Sequence, residues 1–245
     1  MPVTLAAPSL GVNAADASGW TALMRSASGG HTDRVTALLA YPGLDVNATN
    51  DAGRTALMWA ANGGHAETVT ALLAAPGLDV NAVDGGGRTA LRLAANGGHV
   101  ETVTALLAAP GLDVNAADDA GWTALMLGAN EGHTETVTAL LAAPGLDVHA
   151  AFADHGWTAL TLAACEGHTE TITALLTAPG LDVNAADDDG WTALMTAARK
   201  GHTETVTALL AAPGLDVNAA DDAGLLTALY LAESNGHVEI ASLLH

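Results

Sequence analysis

The sequence predicts an all-α fold, a solenoid of stacked helix-turn-helix repeats with β-hairpin-like fingers. Three observations predict it. A tripeptide VNA or VHA opens at Val12, Val46, Val80, Val114, Val148, Val183 and Val217, every 34 residues apart from one step of 35. A period in the thirties marks units too small to bury an apolar face alone, which therefore lean on their neighbours. The chain is 50% hydrophobic but only 3% aromatic, so its core must be thin layers of Ala, Leu and Val. Within each unit, turn-forming residues alternate with two short stretches of helical apolar spacing. One domain spans 1–245, with a partial repeat at 1–11 and seven repeats starting at about 12, 46, 80, 114, 148, 183 and 217.

The unit starting at Val114 shows each element in turn. VNAADDAGW is rich in Asn, Asp and Gly and predicts a finger-like hairpin. Thr123 then stands at an N-cap position, where its hydroxyl can accept a bond from an otherwise unpaired backbone N–H. A first helix is predicted near 124–130, with Leu125, Gly128 and Ala129 on one face; the small residues allow close approach of a neighbour. Glu131-Gly132-His133 turns the chain. A second helix is predicted near 134–143, its apolar stripe formed by Val137, Leu140 and Leu141. Pro144-Gly145 ends it, since proline cannot continue a helix.

These units resemble the ankyrin repeat. Residues 51–65 read DAGRTALMWAANGGH, followed by VTALL at 69–73 and DVNA at 79–82, close to the family's T-P-L-H-x-A-A-x-x-G-H, V-x-x-L-L and D-V-N-A. The resemblance covers 12–245. It departs in two places. The family proline is Ala22, Ala56, Ala90, Ala124, Ala159, Ala193 and Ala228, a tolerable change because proline at the first helical position is helpful but not required. The family histidine is Met24, Met58, Arg92, Met126, Thr161, Met195 and Tyr230, so its hydrogen bonds must be replaced or absent. An extra residue in the Pro-Gly turn lengthens the family's usual unit by one. The resemblance implies an elongated stack, on the order of 70 Å long at the usual helix spacing. Fingers and first helices would line a concave face that binds a protein partner, and second helices would form the back.

Composition narrows the partner. A net charge of −20 argues against nucleic acid and anionic membranes, whose recognition needs many Lys and Arg. No apolar run reaches the length of a membrane span, and MPVTLAAPSLG lacks the basic start of a signal peptide. The single cysteine, Cys165, suits a reducing, cytoplasmic setting.

Second helices are near copies, whereas first helices and finger bases vary, the pattern expected of a modular binding surface. The position after the finger glycine runs Trp20, Arg54, Arg88, Trp122, Trp157, Trp191 and Leu225. With Trp59, Arg92, Phe152 and Arg199, the Trp and Arg residues of this row are the candidate partner-binding set, since Trp and Arg are enriched at interfaces. For each Trp a seam-covering role is the alternative, although Trp59 is expected to be exposed. For Arg54, Arg88 and Arg92 the choice lies between an anion-gripping patch and pairing with finger acids such as Asp51 or Asp84. The fifth finger, HAAFADHGW, has one extra residue and the only Phe; Phe152 either forms an aromatic contact site beside Trp157 or tucks against the stack. The doublet Leu225-Leu226 is expected to help close the C-terminal end.

Other chemistries fare poorly. The histidine ladder His31, His65, His99, His133, His168, His202 and His237 is spaced about 8–10 Å per step, too far apart to converge on one zinc ion. Asp187-Asp188-Asp189 lacks the spacing of a calcium loop. Cys165 has no base preset beside it, and no phosphate loop or nucleophile elbow occurs. No cofactor, metal or catalytic residue is therefore expected. The leading function is a non-catalytic protein-protein interaction scaffold. The alternatives are a structural array or fragment of a larger repeat protein, which the alignment of Leu5-Ala6-Ala7-Pro8 with Leu73-Ala74-Ala75-Pro76 suggests, or a substrate. The resemblance supplies the last: the VNA asparagine of such repeats (Asn47, Asn81, Asn115, Asn184 and Asn218 here) can be hydroxylated by an asparaginyl hydroxylase. Exposed stacking surface at the first repeat also predicts weak end-to-end self-association.

Overall fold

A computed structural model describes residues 11–245; nearly all of the partial repeat expected at 1–11 lies outside the described residues. The first helices are α1 (Ala22–Ser28), α3 (Ala56–Asn62), α5 (Ala90–Asn96), α7 (Ala124–Asn130), α9 (Ala159–Glu166), α11 (Ala193–Lys200) and α13 (Ala228–Ser234). The second helices are α2 (Thr32–Leu39), α4 (Ala66–Leu73), α6 (Val100–Leu107), α8 (Thr134–Leu141), α10 (Thr169–Leu175), α12 (Thr203–Leu210) and α14 (Val238–Leu244). The chain divides into two compact units, Met1–Asp113 and Val114–His245. Within each unit first helices pack on first helices (α1 on α3 on α5; α7 on α9 on α11 on α13), and second helices do likewise. The fingers are held by turns, with isolated antiparallel bridges such as Ala15 to Thr21 and Ala186 to Thr192.

Local chemistry accounts for the boundaries. Before every first helix a threonine Oγ1 accepts the backbone N–H three residues on, as Thr123 does from Met126 at 3.3 Å and Thr55 from Met58 at 3.3 Å. Every second helix carries an acid in its first turn, Glu135 in α8 for example, where the helix dipole favours it. α8 ends at Leu141, short of the expected 143, because the chain tightens and Ala143 N–H bonds Leu140 O at 2.9 Å. Its buried stripe is Val137 and Leu140 with Thr136, while Leu141 is half-buried. The sequence pattern placed the stripe one residue too far round the helix.

The methionines standing where the family has histidine are fully buried: Met24, Met58, Met126 and Met195 are each 1% exposed. Packing replaces the polar contacts there. Thr161 pairs its hydroxyl with Thr158 at 3.2 Å, and Arg92 donates from Nη1 to Gly87 O at 2.7 Å.

Within each unit three ladders run between neighbouring repeats. In the first, histidine rings reach back to carbonyls at or near the end of the preceding first helix. His65 Nε2 lies 3.0 Å from Ser28 O in the first unit, and His202 Nε2 lies 2.9 Å from Cys165 O in the second. This approach explains the glycine at the helix turn. Gly64 has φ +69, and a Cβ there would meet the His99 ring at 2.7 Å, so both backbone conformation and space exclude a side chain. The second ladder is made by the VNA asparagines. Asn81 Nδ2 donates to Gly111 O at 2.8 Å while its Oδ1 accepts Asp113 N–H at 2.8 Å. Asn13, Asn47, Asn115 and Asn184 repeat the pattern. The third ladder joins second helices through hydroxyl pairs, Thr32 with Thr68 at 2.8 Å and Thr169 with Thr205 at 2.9 Å. Ala66 interrupts it, and Thr102 Oγ1 is buried without a partner among the described residues.

Candidate functional site

The finger is organised by one side chain. Asp84 Oδ1 accepts the N–H of Gly86 at 2.9 Å and of Arg88 at 3.1 Å. Asp16, Asn50, Asp118 and Asp187 make the same paired contacts in their own fingers. An acceptor curling back on the following N–H groups is the usual turn chemistry of Asp and Asn. It fixes the backbone of the residue four positions on in most fingers, which places Trp20, Arg54 and Arg88 in the first unit, and Trp122 and Trp191 in the second, at equivalent positions at the finger bases.

In the first unit these side chains form an alternating stack. The rings of Trp20 and Trp59 lie 4.4 Å apart at 32°. Arg25 sits over Trp20 at 5.7 Å and Arg54 over Trp59 at 4.8 Å. Arg25 is also paired with Asp16. Trp59, expected to be exposed, is half-buried in this stack, and its Nε1 is buried with no hydrogen-bond partner among the described residues.

Arg54 and Arg88 pair with one finger acid, Asp84. Its side chain is fully buried and receives Arg54 Nε at 3.0 Å and Arg88 Nε at 2.9 Å. Burial pushes the Asp84 carboxyl up, but Arg88, the backbone N–H groups of Gly86 and Arg88, and Arg54 outweigh it and bring its pKa down to about 2. Arg92 needs correcting as a contact residue: it is 2% exposed, because its position faces the interior as the methionines do in other repeats. Arg88 remains exposed.

The second unit arranges the same row differently. Phe152 takes the place of the finger aspartate, and the extra residue is absorbed in a wider turn closed by Gly156 N–H to Phe152 O at 2.8 Å. Its half-buried ring lies edge-on to Trp122 at 5.4 Å and 5.8 Å from His155, so it covers the neighbouring indole instead of standing free beside Trp157. Trp157 Nε1 donates to Asp187 Oδ2 in the next finger at 3.0 Å. Arg199, exposed, stacks over Trp191 at 4.6 Å. Between these fingers runs a groove of about 230 Å³ lined by His155, Trp157, Asp187, Asp189, Trp191 and Arg199. The doublet in the last finger leaves Leu225 exposed, with Asp221 accepting from both Leu225 and Leu226.

The sequence offered Asp84, beside Asp51, as a partner for the arginines; it did not point to Asp187 or Arg25 as contacts at the finger bases. The available signal was an Asp or Asn four residues before every Trp or Arg of the finger row except Trp157. Cys165 is buried, and burial pushes its thiol up, away from a reactive thiolate. Asn47, Asn81, Asn115 and Asn184 have both ends of their side-chain amides engaged in the ladder.

A family model described as "Ankyrin repeats (3 copies)" matches at residues 4–84, 76–151, 93–187, 149–221 and 181–245. Among solved structures the chain is similar to the ankyrin repeat domain of Bcl-3, described as a unique member of the IkappaB protein family. The two share 29% identity and a TM-score of 0.80 over 91% of this chain and 99% of that one. No curated protein matches the chain. Matched by the family along nearly its whole length and folded as stacked helix pairs, the chain belongs to the ankyrin repeat family, whose domains generally serve as protein-protein interaction modules.

Proposed function

We propose that the chain is a non-catalytic scaffold that binds a protein partner on its finger and first-helix face. The observation that carries this reading is the asymmetry between the two faces. The half-exposed indoles and exposed or half-exposed guanidinium groups of Trp20, Arg54, Arg88, Trp122, Trp157, Trp191 and Arg199 share the finger row or the first helices. The second helices expose a repeated acid and threonine, such as Glu135 and Thr138 in α8 and Glu204 and Thr207 in α12, with one arginine, Arg34. Large amphipathic side chains that vary from unit to unit are suited to specific recognition, and a copied polar back is not. Photo-crosslinkers at the exposed fingertip positions Asp119 and Asp188 should capture a bound partner, whereas those at exposed Glu135 and Glu204 on second helices should not. Capture through the back alone sinks the reading.

A second reading concerns self-association. In the last repeat Tyr230 is 52% exposed at a position buried in the other repeats, and Leu225, Val238 and Leu243 are exposed as well. Weak end-to-end association through such a surface would make the mass seen by light scattering rise with concentration; a constant mass rules it out.

A further inference from the structure

The two units make equivalent finger-to-finger contacts with different residues. In the first, Arg54 stacks on Trp59 and reaches the carboxylate of the next finger, Asp84, which Arg88 also holds. In the second, Trp157 stands at the position of Arg54, Asp187 at that of Asp84 and Trp191 at that of Arg88. Asp187 therefore receives an indole N–H and two backbone N–H groups, and no guanidinium among the described residues. Trp157 is also the one indole among the described residues with neither an arginine nor an aromatic ring of its own chain against it. Both line the same groove, beside the exposed carboxylate of Asp189.

We propose that this groove takes an arginine side chain from a basic segment of the protein partner, its guanidinium laid on Trp157 and directed at Asp187 and Asp189. The proposal rests on the reading of this face as the interaction surface. A guanidinium fits because it is planar, stacks on an indole and forks onto carboxylates, whereas an ammonium is a more strongly hydrated point charge. The surroundings favour a cation: Val114–His245 carries eighteen acidic and two basic residues, which steers a basic segment inward. The groove's own cation, Arg199, lies over Trp191 and leaves the Trp157 side open.

The test follows the indole N–H signals of the isotope-labelled full chain while a short peptide with one central arginine is added. Peptides with lysine or glutamate at the centre are the controls. The arginine peptide should shift the Trp157 signal saturably and leave Trp20 unmoved. Asp187→Asn should weaken binding about tenfold, the scale of a lost charge-assisted contact. That variant keeps the finger folded, since Asn50 already serves as its acceptor in another finger. Arg199→Ala should leave binding equal or tighter. Equal affinity for the lysine peptide, or shifts spread over all indoles, would reduce the effect to general attraction and overturn the proposal. Loss of binding in Arg199→Ala, or preference for glutamate, would overturn it in favour of an acidic guest. Any of these failures leaves the interaction reading standing, because fingertip crosslinking tests that reading independently.

Discussion

Residues 1–113 and residues 114–245 are built from one repeat, yet they differ in what stands on the finger carboxylate. The first unit has nine acidic and five basic residues, net −4; the second has eighteen and two, net −16. In the first, Asp84 is buried under two arginines of its own chain. In the second, Asp187 faces a groove and meets an indole. A repeat fold tolerates both because the turn itself needs only an oxygen acceptor, which Asn50 supplies without any charge. The backbone contact is thus shared, and the side-chain contact is free to serve stability in one unit and recognition in the other.

The largest effect should come from breaking this difference directly. Asp84→Asn removes the carboxylate from two guanidinium groups in a buried site and should cost about 2–3 kcal/mol in denaturant unfolding. Asp187→Asn should cost less than about 0.5 kcal/mol, as expected of a change at an exposed groove. Equal costs would mean the two carboxylates play one role. The same contrast governs pH. The folded pKa of Asp84 lies below its unfolded value, so its contribution is present above about pH 4 and is lost as pH falls toward about 2. Acid unfolding of the wild type and of Asp84→Asn should differ above that window and converge below it.

A second, smaller comparison lies in the asparagine ladder. His149 stands where Asn115 and Asn184 bind the next turn. His149→Asn should restore bonds to Gly180 O and Asp182 N–H and stabilise the second unit by about 1 kcal/mol. Asn81→Ala in the first unit should cost a similar amount. Hydrogen exchange in the turn at 178–182 reads the gain, and unchanged protection there would count against the ladder as a source of stability.

The smallest effect concerns the hydroxyl ladder. Ala66→Thr should offer Thr102 the partner that Thr32 gives Thr68, raising stability by about 0.5–1 kcal/mol. Val69→Thr, one turn face away, should lower stability, because Val69 is fully buried among apolar neighbours. A gain from both, or from neither, would show that the buried Thr102 hydroxyl carries no cost.

Much of the fold was legible in the residues themselves. The period, the threonine caps, the Pro-Gly stops and the apolar stripes are local signals, each decided within a few positions along one helix or turn. The chain alone therefore set how many repeats form, where their helices lie, and which row carries Trp and Arg. Tertiary structure decided what those side chains do. Arg92 is buried and Arg88 exposed although four positions separate them. Asp84 gathers two arginines, and Trp59 is covered by Trp20. Phe152 covers Trp122, while Trp157 is left facing a groove. Most of these outcomes join residues roughly one repeat apart, so they depend on the distance and rotation between successive fingers. That geometry is set by the packing of small residues and by the histidine and asparagine ladders between repeats, and no single unit contains it.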